Sequence, residues 1–470
     1  LLNTKFIAFI ILASSAAPVS AQTCPPTCTL RFQTTLGGID VVLTPTPTPM
    51  TVANFMDYVS SGAYNNTIIH RSLPVSAAVP PYIIQGGGYA LEGPLPVLIP
   101  QNPPVTNEYN VANCPGGKCN VAGTIAMAQY GGDIDSATNQ WYFNVADNSG
   151  TLDSQSFVVF GNVANASSLA IATDINGLPT FMDDFGNDAD FMNLPLQNYS
   201  CPNPTCPLIK PANYIFVNSI TPISPADSAA GVADAATAAN NNKTGISPGE
   251  IITLYGTNLG PAQVALLTLN SAGTLVTTSL DGTQVTFNGV PGPMIFTLDG
   301  QIAVVVPYEI AGQSTVSVVV SYLGLQTAPI QFNVVPATPG LFTLSQTGQG
   351  DAAIIRYSDG SVISTSNPAS VGDLLEIYGE GYGVATPNTS LADGTVVTTV
   401  LPVPAASTTV LIDGKPVNAE NIEYAGGAGG DVNGVLQVNL TVPQLAPGSH
   451  QLQLQVGNAM SPAGVNLQTH

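Results

Sequence analysis

Gly123-Thr124-Ile125-Ala126-Met127-Ala128-Gln129 and Asp135-Ser136-Ala137-Thr138-Asn139-Gln140-Trp141-Tyr142-Phe143 are the stretches on which the reading of this chain turns. Both carry apolar and aromatic residues in strand-like runs, with a glycine turn between them. Side chains alternate between the two faces of a strand, so Gln140 and Tyr142 share one face and Trp141 takes the other. Trp141 is therefore read as core packing. Working outward, Arg71 follows Tyr64-Asn65-Asn66-Thr67-Ile68-Ile69-His70, and then comes Tyr82-Ile83-Ile84-Gln85-Gly86-Gly87-Gly88-Tyr89. Downstream lie Leu152-Asp153 and Phe157-Val158-Val159-Phe160-Gly161. Strands of this kind can line a shallow apolar cleft with one guanidinium at its rim. Arg71 is one of three arginines, with Arg31 and Arg356. In a chain so poor in arginine it reads either as a substrate donor or as a structural ion-pair partner. By alternation His70 points away from Arg71, as a packed or surface histidine.

These segments resemble the cyclophilin-type peptidyl-prolyl isomerases, most closely the exported bacterial forms. The resemblance runs from about Leu30 to Asn218. It rests on the two opening stretches, on Gln85-Gly86-Gly87, and on Thr51-Val52-Ala53-Asn54-Phe55, which fits the family's first helix. It implies a mainly β fold: an eight-stranded closed barrel with two helices. It also implies rotation of Xaa-Pro bonds without any cofactor. By position, Arg71 is implied as the catalytic donor, and Gln85 as the residue orienting substrate and arginine. Ala128 would supply backbone beside the peptide, with Gln140 at the pocket edge. Tyr82, Ile83, Tyr142 and Leu152 would wall the proline pocket, with Phe157 beside them. The chain departs from the family pattern in places. Tyr82-Ile83 replaces Phe-Met, Tyr142 replaces Phe, and Phe157 stands where many members have His or Tyr. Thr151 occupies a position where some members carry an indole. The link Ser72-Leu73-Pro74-Val75-Ser76-Ala77-Ala78-Val79-Pro80-Pro81 is expanded beside Arg71 and could block or reshape the cleft.

The start of the chain reads as an export signal. Lys5 precedes the apolar run Phe6 to Leu12, and small residues lead to Val19-Ser20-Ala21, with cleavage expected after Ala21. The run is too short to span a bilayer, which takes about 20 apolar residues, and no later stretch qualifies. The expected location is secreted, extracellular or cell-surface, with the periplasm as a further option. Six cysteines fall in three close pairs. Even number and export favour the disulfides Cys24–Cys28, Cys114–Cys119 and Cys201–Cys206 over a metal site, since the spacings are not those of zinc knuckles. With 8 Lys+Arg against 29 Asp+Glu, the surface repels phosphate backbones, which excludes nucleic-acid binding.

Past residue 222 the composition changes. Residues 223–243, rich in Ala, Asp and Asn, read as a linker. Beyond it, short β-prone runs alternate with turns, and an internal repeat emerges. Pro248-Gly249-Glu250-Ile251-Ile252-Thr253-Leu254-Tyr255-Gly256 matches Val371-Gly372-Asp373-Leu374-Leu375-Glu376-Ile377-Tyr378-Gly379. Val285-Thr286-Phe287-Asn288-Gly289 matches Val410-Leu411-Ile412-Asp413-Gly414, and Gln301 to Pro307 matches Leu436 to Pro443. Two related β-sandwiches are expected, over 244–342 and 343–470. They resemble immunoglobulin-like modules with a TIG-type turn, of the kind found at the C-termini of exported proteins from acidobacterial soil bacteria. Asp183, Asp184, Asp188 and Asp190 form a weak calcium candidate without EF-hand spacing, so no metal is assigned. The expected organisation is a signal peptide at 1–21, a cyclophilin-like domain at 22–222, the linker and the two sandwiches. The leading expectation is an extracellular or surface prolyl isomerase acting on proline-containing peptide or protein segments. The alternative is a structural, assembly or adhesive surface protein that uses an inactive cyclophilin fold for packing or binding. In either case the sandwiches offer edges for self-assembly or surface partners.

Overall fold

The computed structural model describes residues 28–75, 79–182, 191–202, 206–234, 245–388 and 390–470. The proposed signal segment, Cys24 and the Asp183–Asp190 cluster lie outside these residues. Described residues up to Ile223, with Pro261–Gln263, form one compact unit, and Ser224–Gly260 with Val264–His470 forms another.

The first unit is built on one large sheet. Its strands are β1 (Thr29–Thr34), β2 (Gly37–Leu43), β3 (Thr67–Ile68), β4 (Arg71–Leu73), β5 (Ile83–Gly86), β6 (Tyr89–Glu92) and β7 (Leu95–Leu98). Then follow β8 (Thr124–Met127), β9 (Trp141–Asn144) and β10 (Val159–Val163); β11 (Thr180–Phe181) and β12 (Leu194–Pro195) form a separate pair, and β13 (Phe216–Pro222) completes the set. The large sheet has eleven strands in the order β4-β5-β9-β8-β10-β2-β1-β13-β3-β6-β7. Three helices accompany it: α1 (Pro49–Ser60), α2 (Ser149–Leu152) and α3 (Ala166–Asn176).

This corrects the closed eight-stranded, two-helix barrel that the family resemblance implies. The sheet is open and curled, with β4 and β7 at its ends. The physical cause is an interruption of the strand ladder at Ile69-His70. Before it, Ile68 pairs with Phe216 of β13; after it, Arg71 pairs with Gln85 of β5. Within it, the Ile69 amide donates to Ile215 O (2.8 Å) and the His70 amide to Gln85 O (3.1 Å). The backbone groups are satisfied one at a time on two neighbours, so no continuous ladder closes the sheet. The β6–β7 hairpin then extends it past β3.

Inside, alternate residues of β1 and β2 are apolar: Leu30 and Phe32 face the same core as Ile39, Val41 and Leu43. Phe32 sits 5.1 Å from Trp141 and 5.3 Å from Phe143, ring centre to ring centre, and edge-on to both. Offset and edge contacts of this kind suit the ring quadrupoles. Opposite the core, the paired residues Arg31 and Asp40 form a buried ion pair at 2.7 and 2.9 Å. Helix α1 contains the Thr51–Phe55 stretch and has Pro49 in its first turn. The Glu108 carboxylate accepts from the Met50 and Thr51 amides (3.0 and 2.7 Å), which satisfies donors that a helix start leaves open and sets negative charge at the positive end.

The second unit contains two double-sheeted cores. In the first, one sheet runs Ala226–Asp234, Ile251–Thr257, Gln301–Val305, Met294–Leu298, Ala265–Leu266. Part of the stretch read as linker is thus a strand, paired to Ile251–Thr257. The facing sheet centres on Thr315–Tyr322, whose Val316, Val318, Val320 and Tyr322 are buried at alternate positions. The second core repeats this arrangement around Leu374–Glu380, Leu436–Thr441, Thr408–Ile412 and Gly448–Val456. The sequence repeat maps onto equivalent ladders: Ile251–Thr257 on Gln301–Val305, and Leu374–Glu380 on Leu436–Thr441. Asn288-Gly289 and Asp413-Gly414 all carry positive φ, as their two-residue hairpins require. Between the two cores, buried Glu380 accepts from the Ile251 amide (2.7 Å), and the Asp393 carboxylate accepts from the Tyr308 amide (2.9 Å).

Candidate active site

Adjacent strands bring three separated polar residues into line. Arg71 on β4 lies opposite Gln85 on β5, and Gln85 lies opposite Tyr142 on β9. Gln140 immediately precedes β9 and reaches the same face. Arg71 Nη1 donates to Gln85 Oε1 (3.2 Å), and Gln85 Nε2 donates to Gln140 Oε1 (2.6 Å). Cross-strand neighbours on one face are close enough for such contacts. The glycines after Gln85 make room for the row. A Cβ on Gly88 would stand 2.8 Å from Gln140 Nε2, and one on Gly87, at φ +81°, would meet Trp141 Nε1 at 2.6 Å. Only glycine suits the second position on both counts.

The row forms part of the wall of a cleft of about 340 Å³. Ile83, Ala128, Tyr142, Leu152 and Phe157 line it together with Arg71, Gln85 and Gln140. Its floor is apolar: Ile83, Tyr142 and Leu152 are buried around Ala126, and Ala128 and Phe157 pack against them. The Phe157 ring stands edge-on to Tyr142 with centres 5.8 Å apart. Eight of the nine residues assigned to catalysis or the pocket thus line one cavity. Tyr82 does not. Its amide donates to Asn148 Oδ1 (2.7 Å), its carbonyl accepts from Asn148 Nδ2 (2.9 Å), and Pro81 lines the cleft in its place.

Behind the floor lies a polar layer. The Tyr142 hydroxyl donates to Asn120 Oδ1 (2.8 Å), and burial followed by the nearby Asp153 charge pushes the phenol well above its ordinary range. It stays neutral and keeps its proton to donate. Asn144 Nδ2 donates to the same oxygen (3.2 Å) and to Thr124 Oγ1 (2.8 Å), and Asn148 Nδ2 donates to Asn144 Oδ1 (2.7 Å). Sequence reasoning assigned none of these asparagines. Nor did it assign Gln101, Gln129, Tyr130 and Gln155, which also line the cleft. Asn144 shares the Tyr142 face of β9 by alternation, but the others sit on loops or a short turn, where strand alternation gives no guide to direction. Thr151, noted as a departure from the family, does line the cleft. His70 is buried, with its ring 4.9 Å from Tyr89 and 6.2 Å from Phe191.

Cys114–Cys119 and Cys201–Cys206 are disulfide-bonded. Among the described residues, no group of three or more His, Cys, Asp or Glu is placed to hold a metal, and no helix is long and apolar enough to cross a membrane.

The family model for cyclophilin type peptidyl-prolyl cis-trans isomerase/CLD matches residues 29–192, and the IPT/TIG domain model matches residues 241–350. Peptidyl-prolyl cis-trans isomerase A of Dickeya dadantii is 34% identical over 173 residues, which is 36% of this chain and 83% of the relative. Peptidyl-prolyl cis-trans isomerase B of Escherichia coli is 34% identical over 157 residues, or 32% of this chain and 85% of the relative. The cyp18 isomerase of Streptomyces antibioticus is 31% identical over 175 residues, or 36% and 92%. Through the region that carries the Arg71–Gln85–Gln140 row and its cleft, this chain belongs to the cyclophilin-type peptidyl-prolyl cis-trans isomerase family.

Proposed function

We propose that the first unit catalyses cis/trans rotation of Xaa-Pro bonds in peptide or protein segments, outside the reducing cytosol. The observation that carries this reading is the Arg71–Gln85–Gln140 row set beside a buried apolar floor in one cleft. Amide resonance holds the peptide bond planar with a barrier of about 18–20 kcal/mol. At the twisted state that resonance is lost, and the prolyl nitrogen gains a lone pair that can accept a hydrogen bond. Arg71 is suited to donate to that nitrogen, and Gln85 holds the guanidinium at its angle. The floor formed by Ile83, Tyr142, Leu152 and Phe157 would hold the proline ring while the preceding carbonyl turns past Ala128. Contacts that favour the twisted state over either planar state lower the barrier. Such a reaction needs neither nucleophile nor cofactor.

Two disulfides in the first unit support an oxidising setting, in keeping with the signal-like pattern at 1–21. In this reading a cyclophilin-like domain spans 22–222. The cores within 244–342 and 343–470 are two copies of one TIG-type module that space, anchor or assemble the protein. The test is exchange NMR on a short Ala-Pro peptide with the purified chain. Exchange well above the uncatalysed rate is expected. Exchange at background across a range of protein concentrations would leave the alternative, a packing or binding module.

A further inference from the structure

The Tyr142 ring forms part of the cleft floor, and its hydroxyl points out of the cleft to buried Asn120. Both Asn120 and Tyr142 are buried, at 0% and 2% exposure. Asn120 is itself held on several sides. Its backbone amide and Nδ2 both donate to Asp153 Oδ1 (3.0 and 2.8 Å), and Nδ2 also donates to Phe157 O (3.2 Å). The preceding Cys119 amide donates to Asp153 Oδ2 (2.9 Å), and Cys119 is clipped to Cys114. From the same loop, Lys118 pairs with Asp147 at 2.7 Å. One asparagine side chain therefore touches Tyr142, the backbone of Phe157, and the carboxylate that follows Leu152. Those are three segments of the cleft wall.

We infer that Asn120 is a positioning residue for the proline-binding floor, acting through the Tyr142 hydroxyl. The inference rests on the isomerase reading of the cleft. A phenol at the floor needs an acceptor behind it, because a buried hydroxyl without one is costly. Asn120 supplies that acceptor and sets the depth of the ring. Without it, the ring tilts toward the cleft to reach water and takes up space meant for proline. A phenylalanine at 142 would make no such demand, so the need for Asn120 follows from this chain's tyrosine.

The experiment is a double-mutant cycle on the full chain, with Asn120→Ala and Tyr142→Phe singly and together, read as exchange of an Ala-Pro peptide. Asn120→Ala in the tyrosine background should lower kcat/KM about three- to tenfold, the scale of one buried hydrogen bond, chiefly through a raised KM. Measured against the Tyr142→Phe protein, whatever its own level, the same substitution should cost less than about twofold, because the coupled hydroxyl has gone. An equal loss on both backgrounds, or none on either, overturns the inference. Should Asn120→Ala not fold, Asn120→Ser, which shortens the reach to the hydroxyl, takes its place in the same comparison. NMR of protein labelled at tyrosine Cζ separates this idea from the activity it rests on. If the parent chain shows only background exchange, the isomerase reading fails. Even then, a shifted Tyr142 resonance in the Asn120 variant supports the positioning role, and an unmoved one overturns it.

Discussion

Replacing Arg71 with alanine tests the catalytic reading most directly, and the structure sets the size of the effect. Arg71 is half-buried on the cleft wall, with Nη1 held by Gln85 Oε1 at 3.2 Å. Removing one pre-organised donor from a transition state costs about 10²–10³ in rate, or about 2.7–4 kcal/mol. Those figures come from enclosed sites. At a half-exposed position water competes for the same acceptor, so the lower end applies: a fall of about 100-fold in kcat/KM. Arg71→Lys keeps the charge but loses the planar fork that Gln85 orients, and should fall between the two. The assay is exchange NMR on an Ala-Pro peptide at matched protein concentration. Fluorescence of Trp141, buried in the aromatic core, checks that the unit is folded. A folded Arg71→Ala protein with parental kcat/KM would refute the donor role, whatever the parental rate.

Three further outcomes are expected. Trp141 is the only tryptophan in the chain and is fully buried in the first unit. Its emission should therefore report that unit alone, while circular dichroism reports both. Urea transitions followed by the two probes should not superimpose, and coincident curves would mean that the chain unfolds as one cooperative block. Asp40→Asn removes the carboxylate from the buried Arg31–Asp40 pair and leaves a guanidinium in the interior, so the tryptophan-detected transition should lose about 3–5 kcal/mol; a loss under about 1 kcal/mol would contradict this. In the second unit, burial, and then Glu309 beside it, push the Asp393 carboxyl up from 3.8 to about 7. A raised folded value means that the folded state holds its proton more tightly. The resulting stability is full below about pH 3.8 and is lost as pH rises through about 7. Thermal melts of the parent should therefore fall relative to Asp393→Asn between pH 4 and pH 8, and a gap that stays constant with pH would rule the effect out.

Much of the site was legible before any fold was known. Strand alternation alone put Gln140 and Tyr142 on one face and Trp141 on the other. The family resemblance then matched Arg71, Gln85 and Ala128 to one cleft. Tyr82 is not among the residues that line the cleft, and local spacing says nothing of the long-range contacts that hold its backbone. Here Asn148 holds the Tyr82 backbone from another loop and Pro81 takes the wall position. The Asn120–Tyr142 contact was invisible for a similar reason. It joins residues 22 apart through a buried hydroxyl, and no periodicity links a loop amide to the back of a strand residue.

Sequence by itself determined the alternation that sets Gln140 and Tyr142 on one face of a strand, the paired turns at Asn288-Gly289 and Asp413-Gly414, and the repeat in the second half. These features depend on short-range rules: alternation, positive φ at glycine, asparagine and aspartate, and local similarity. Tertiary structure alone decided that the sheet of the first unit stays open. Closure depends on whether one ladder continues through Ile69-His70, and that is set by which neighbours accept two backbone amides, Ile215 on one side and Gln85 on the other. It also decided that part of the supposed linker is a strand, since Ala226–Asp234 gains its order from a long-range partner, Ile251–Thr257. Long-range hydrogen bonds carry no local signature, and at those positions the fold departs from what the residues suggest one at a time.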